Sequence, residues 1–124
     1  MQELLTQRTK QIGLNVIKLV ASLPSNSDSL IISRQLIGCS TSIGSNYRAA
    51  CRAKPNPDFI NKLKIVEEET DETLYWLEIL EENGQISTTQ TEVLKKELNE
   101  ILSIMVSSIK TAKNNEAQRV RPSS

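Results

Sequence analysis

The sequence predicts an all-α protein, an antiparallel up-down-up-down four-helix bundle, and three observations predict it. Apolar residues recur at steps of three and four in four separate stretches. Each of the first three stretches stops at a proline or glycine cluster, which leaves only short connections. Strand-type alternation is absent from the chain. At 124 residues there is room for one core and not two. The expected organisation is a bundle over residues 1–114 and a flexible C-terminal tail over 115–124.

The first helix is expected from Gln2 to Leu23, with Leu5, Ile12, Val16, Leu19 and Leu23 on one stripe. Ile17 and Val20 widen that stripe by about a quarter turn at 3.6 residues per turn. This is more apolar width than one antiparallel neighbour needs. Either both flanks touch helices of the same bundle, or Ile17 and Val20 belong to a subunit interface. Pro24 ends the helix, and Ser25 to Asp28 is a loop rich in capping residues.

The second helix is expected from Asp28 to Ala53. Leu36, Cys39, Ile43, Asn46 and Ala50 share a face, with Ser40 and Tyr47 beside them. Gly38, Ser42, Gly44 and Ser45 make its surroundings small, which lets two axes approach closely. Mid-helix glycine costs up to about 1 kcal/mol relative to alanine, so packing must hold this helix together. Ser42 and Asn46 are expected to be buried and to hydrogen-bond a facing helix.

Pro55 and Pro57 force the break to a third helix, near whose start Asp58 complements the helix dipole. Phe59, Leu63, Val66, Thr70, Thr73, Leu77 and Leu80 form a heptad-type seam flanked by Ile60, Glu67 and Leu74. Asn83-Gly84 is a stop, and Ser87 to Thr89 can cap a fourth helix. Its inner face is Leu94, Leu98, Ile101, Leu102, Met105, Ile109 and Ala112.

Composition narrows the function. Lys and Arg number 15, as do Asp and Glu, so the protein is not coated in positive potential. The charges are segregated: residues 1–53 carry six basic and two acidic groups, whereas residues 54–83 carry three and nine. Such blocks meet either within a bundle or between subunits. Cys39 and Cys51 are twelve residues apart on one helix, about 18 Å, too far for a disulfide. Histidine is absent, so the run Glu67 to Glu72 lacks the Glu-x-x-His partners of a di-metal bundle. Glu68, Glu69 and Glu72 are expected to pair with basic residues such as Arg48 and Arg52 or to face solvent; the turn at Pro55 brings Arg48 level with residue 63, one turn from Glu67 and Glu68. No catalytic residue, metal, cofactor, small-molecule substrate or membrane contact is expected, and a hydrolytic or metal-dependent enzyme is the least supported class. No apolar run approaches the ~20 residues of a membrane span and no signal pattern opens the sequence, so the expected compartment is the cytoplasm.

Gln35, Ser42-Ile43, Asn46 and Arg52, then Phe59, Leu63 and an acid-rich helix ending at Leu77, resemble a known family. These are the four-helix-bundle proteins encoded by intervening sequences in bacterial 23S rRNA genes. The resemblance runs from about Leu5 to Ile109. Many members read Asn-Ile-Ala-Glu-Gly where this chain has Asn46-Tyr47-Arg48-Ala49-Ala50, so Ala49 and Ala50 replace the family Glu and Gly. Glu67 to Glu69 would then supply the missing charge from across the helix pair.

The resemblance implies a homopentameric ring without established enzyme activity. It points first to a non-catalytic scaffold or adaptor acting with a ribonucleoprotein or protein partner. A related branch serves diversity-generating retroelements as the accessory subunit of a reverse transcriptase. That gives the alternative expectation, an RNA- or DNA-binding accessory using Arg8, Lys10, Lys18, Lys110, Lys113, Arg119 and Arg121.

Overall fold

The computed structural model describes residues 1–119 and contains four helices: α1 (Gln2–Ala21), α2 (Ser27–Arg52), α3 (Pro57–Glu82) and α4 (Thr88–Arg119). There is no strand among the described residues. Each boundary has a local cause. The Ser22 hydroxyl donates to Leu19 O at 2.6 Å and closes α1 two residues before its expected end. At the start of α2, Asn26 Oδ1 accepts from the Ser29 N–H at 2.9 Å, an N-cap within the loop that the sequence marked.

Gly84 terminates α3. Its φ of +74° is left-handed backbone that glycine adopts without a steric penalty. The Gly84 N–H reaches Glu81 O at 3.1 Å and the Gln85 N–H reaches Leu80 O at 3.0 Å, the paired bonds of a Schellman stop. Ser87 and Gln90 then form a reciprocal capping box. The Gln90 N–H donates to Ser87 Oγ at 3.3 Å, and the Ser87 N–H donates to Gln90 Oε1 at 3.1 Å. At its other end α4 continues as helix to Arg119, past the expected boundary at 114. Asn56 Nδ2 in the α2–α3 turn donates to Glu116 Oε2 at 2.9 Å and ties that extension to the bundle.

Consecutive helices pack along their lengths, and α1 touches α4 only sparsely to close the bundle. The expected seams of α3 and α4 are buried, from Leu63 to Leu80 and from Leu94 to Ala112, with Phe59 and Leu102 half-buried at the margins. A fully buried Leu or Ile is worth roughly 1.5–3 kcal/mol, so these two stripes dominate the apolar stabilisation. The α1–α2 pair packs differently. A Cβ at Gly44 would lie 3.2 Å from the Lys10 backbone, and one at Gly13 would lie 3.3 Å from Thr41 Cγ2. The small residues of α2 thus bring two backbones together.

Buried hydroxyls are absorbed locally. Thr9 Oγ1 donates to Leu5 O at 2.8 Å and Thr70 Oγ1 to Val66 O at 2.6 Å. Thr73 Oγ1 lies 2.8 Å from Glu69 O and 3.3 Å from Cys39 Sγ, the buried polar contact that joins α3 to α2. No described helix is long and apolar enough to cross a membrane.

Candidate functional site

Among the described residues, the cations expected to bind nucleic acid do not form one surface. Arg8 is engaged across the α1–α4 seam, its Nε 2.9 Å and Nη2 2.7 Å from the two oxygens of Glu97. Its Nη2 is also 3.0 Å from Glu100. Arg119 pairs with Glu116 one turn away at 3.1 Å. Lys110 and Lys113 line a groove between α3 and α4, where Lys64 adds a cation but Glu67 and Glu68 offset it. Lys10 lies in a different groove, between α1 and α2, and Lys18 is exposed on α1. Arg121 falls outside the described residues.

One expectation about polar partners is corrected, and for Glu68 and Glu72 the solvent-facing alternative is the one found. Ser42 and Asn46 are half-buried and do not reach across to a facing helix. Asn46 Nδ2 donates to Ser42 O at 2.9 Å and to Ser42 Oγ at 2.8 Å, because a spacing of four stacks the amide on the preceding turn. Nor do Arg48 and Arg52 pair with Glu67, Glu68 or Glu72 among the described residues. Being level along the axis is not enough. Arg48 projects into the α1–α2 groove, whereas Glu67 and Glu68 sit on the α4 side of α3. Arg52 is exposed in the last turn of α2, where its charge complements the helix terminus, and Glu72 is exposed on α3.

The long-range ion pairs that do form were hidden from sequence reasoning. Arg8 and Glu97 are 89 positions apart. Lys95 Nζ approaches Glu81 Oε2 at 3.2 Å, and Thr91 hydrogen-bonds the same carboxylate. No periodicity connects such residues before the helices are assembled.

Electrostatic shifts follow these placements. Hydrogen bonding to the Arg8 guanidinium holds the Glu97 carboxyl below its ordinary range. Burial pushes the Cys39 thiol up; the Thr73 hydrogen bond opposes that push, and the charges of Glu72 and Glu69 reinforce it. Glu69 itself is raised by burial and by neighbouring Glu72 and Glu68. Because Glu97 is depressed in the folded state, its contribution is present above the ordinary carboxylate pKa. It is lost as pH falls through the depressed value. Arg8→Met should therefore cost about 1 kcal/mol at pH 7, a figure reduced by the pair's partial exposure. Urea midpoints of variant and parent should converge as pH falls through the Glu97 titration. A gap that persists unchanged in acid would assign the loss to packing instead.

The α1–α2 face carries apolar surface that no described residue covers. The α1–α2 groove has a volume of about 340 Å³, a floor set by Gly13 and Gly44, and walls that include Leu14 and Ile17. Leu14 is 44% exposed, Ile17 45% and, towards the loop end of α2, Leu30 53%. Val20, expected beside Ile17, is half-buried against the core and lines the adjoining cavity with Leu30 and Ile37. Lys10 and Arg48 are at the groove's other end. No group of three or more Cys, Asp or Glu suited to a metal ion occurs among the described residues. The groove can bury apolar surface and attract negative charge.

A family profile described as 23S rRNA-intervening sequence protein matches residues 3–107. Among solved structures, the chain is similar to a protein of unknown function from the S23 ribosomal protein family of Bacteroides thetaiotaomicron. That likeness has 32% identity and a TM-score of 0.81, and it covers 88% of this chain and 97% of the other. No curated protein sequence matches.

Proposed function

This chain belongs to the 23S rRNA-intervening sequence protein family, and from that premise we propose that it is a non-catalytic, self-assembling scaffold. In this reading copies join through the α1–α2 face into a ring, a homopentamer by family resemblance, and the ring presents its outer surfaces to a ribonucleoprotein or protein partner. The observation that carries it is the uncovered apolar surface of Leu14, Ile17 and Leu30 on helices whose inner faces are already filled. Surface of that kind is costly to leave in water beside a close-packed groove, and a second protein surface covers it. The nucleic-acid alternative has less support. Arg8 and Arg119 are neutralised in place, Lys10 lies in a different groove from Lys110 and Lys113, and Lys18 is exposed on α1 apart from both.

Ile17→Glu tests the reading. The substitution puts a charge on a half-exposed position, so the single bundle should fold with its helicity intact. Within an assembly the same charge would be buried without a partner, at a cost of several kcal/mol. Light scattering should report a drop from the oligomer to a mass near 13.9 kDa. Val20→Glu should do the same with some added loss of stability, because Val20 also touches the core. Unchanged oligomer mass in Ile17→Glu would move the interface elsewhere, and a parent protein that is monomeric at every concentration would remove the scaffold. Pull-down from native lysate with and without nuclease then separates a protein partner from a nucleic-acid one.

A further inference from the structure

We propose that the assembly is head-to-tail: the outer face of α3 in one copy lies in the α1–α2 groove of the next. This rests on the scaffold reading and adds which two surfaces meet. The segregated charges supply the first argument. Within one copy no ion pair joins the basic block of residues 1–53 to the acidic block of residues 54–83 among the described residues. Glu68, Glu72, Glu78 and Glu82 are exposed along α3, Arg34 and Arg48 are exposed along α2, and none of the six has an ion pair among the described residues.

Spacing supplies the second. Arg34 and Arg48 are 14 residues apart on α2, and Glu68 and Glu82 are 14 residues apart on α3. At 1.5 Å per residue both spans are about 21 Å. Midway along the acidic face is Tyr75, 54% exposed. On the basic side, Arg48 lines the groove that holds Leu14, Ile17 and Gly44, and Arg34 lines the neighbouring cavity towards the loop end of α2. Docking then sets an aromatic ring against an apolar trough and carboxylates against guanidiniums. Tyr75 also has an aromatic neighbour. The half-buried Trp76 packs edge-on against it with ring centroids 5.3 Å apart, which limits the freedom lost on docking.

The two faces are different surfaces of one chain, so the contact is heterologous and each copy both gives and receives. Repetition of such a contact closes a ring when the rotation permits and extends a filament when it does not. Partners of opposite charge also orient before contact, which selects this pairing over a face meeting itself.

Two variants and their mixture test the pairing. Arg34→Glu with Arg48→Glu spoils the receiving face, and Tyr75→Glu spoils the inserted one. All three positions are exposed, and circular dichroism should confirm parental helicity in both variants. Each variant alone should sediment as a monomer. Mixed in equal amounts at high concentration, the intact α3 of the first should enter the intact groove of the second, giving a 1:1 dimer and a twofold rise in mean mass. Either variant retaining the parental mass, or a mixture that stays monomeric, overturns the head-to-tail contact while leaving the scaffold standing. A monomeric parent overturns the scaffold itself and this contact with it.

Discussion

Gly44→Val should lower unfolding free energy by about 2 kcal/mol, the range seen when extra carbon is forced into a filled interface. The obstacle is backbone. An ideal Cβ at this position would lie 3.2 Å from both N and Cα of Lys10 and 3.3 Å from the carbonyl carbon of Thr9. None of those atoms can rotate away, so α1 must shift as a unit or tilt. Alanine would recover up to about 1 kcal/mol of helix propensity against a contact short by a few tenths of an ångström, and the two effects nearly offset. Valine adds two methyl groups to the same gap and has lower propensity than alanine, so sterics win. Gly38 supplies the control. It is in the same helix with nothing within 4 Å of an added Cβ, so Gly38→Ala should stabilise by about 0.5–1 kcal/mol. Urea denaturation of both variants checks the pair. Equal stability of Gly44→Val and parent would mean that α1 and α2 separate freely. In that case the trough at Gly44 would not have the fixed width that a docked helix requires.

The contrast between these glycines explains which parts of the fold were legible in the sequence. Helices α3 and α4 were readable almost residue by residue, because large aliphatic side chains at three- and four-residue steps have one meaning once turns interrupt them. Leu63, Val66, Leu77 and Leu80 are buried as the spacing required, and so are Leu98, Ile101 and Met105. On α1 and α2 the same method missed Thr9, Ser29 and Ser33, all buried. A helix pair that packs through its backbones uses small and hydroxyl-bearing residues at its contact, and these carry no hydropathy signal. The Thr9 hydroxyl is satisfied within its own helix by Leu5 O, and the Ser29 hydroxyl reaches the Gln85 side chain beyond α3.

The candidate site divides in the same way. The apolar width at Ile17 and the separation of charge into blocks were both visible in one dimension. Partner choice was not. Asn46 found its acceptor one turn back, and Arg48 and Glu67 came out on different sides of the bundle despite being nearly level. The direction of a side chain around a helix is a matter of 100° per residue plus the roll of the whole helix. Packing sets that roll, and α2 rolls its arginine towards α1. Glu116 shows the converse. Its bond to Asn56 ties to the bundle a stretch of helix whose apolar pattern had already ended.

Leu98→Ala should be the more damaging of the two substitutions, at roughly 3 kcal/mol. Leu98 is fully buried at the middle of the α4 stripe, and its loss removes apolar burial and opens a cavity beside Ile101 and Met105. Relaxation is limited by topology. Helix α4 packs along α3 but meets α1 only sparsely, with Arg8 and its two glutamates as the polar link across that seam. A bundle closed this unevenly should not lose stability evenly. With total stability of order 5–15 kcal/mol, a loss of about 3 kcal/mol falls mainly on the helix with fewest neighbours. Amide exchange should therefore accelerate along α4 first, while the close-packed α1–α2 pair keeps most of its protection. Uniform acceleration across all four helices would show that the α1–α4 seam couples the bundle as strongly as the α3–α4 contact does. Selective opening would leave the α1–α2 groove intact, so Leu98→Ala should weaken the fold before it weakens assembly. Ile17→Glu should produce the opposite order, and the two variants together separate the core that makes the bundle from the face that joins bundles.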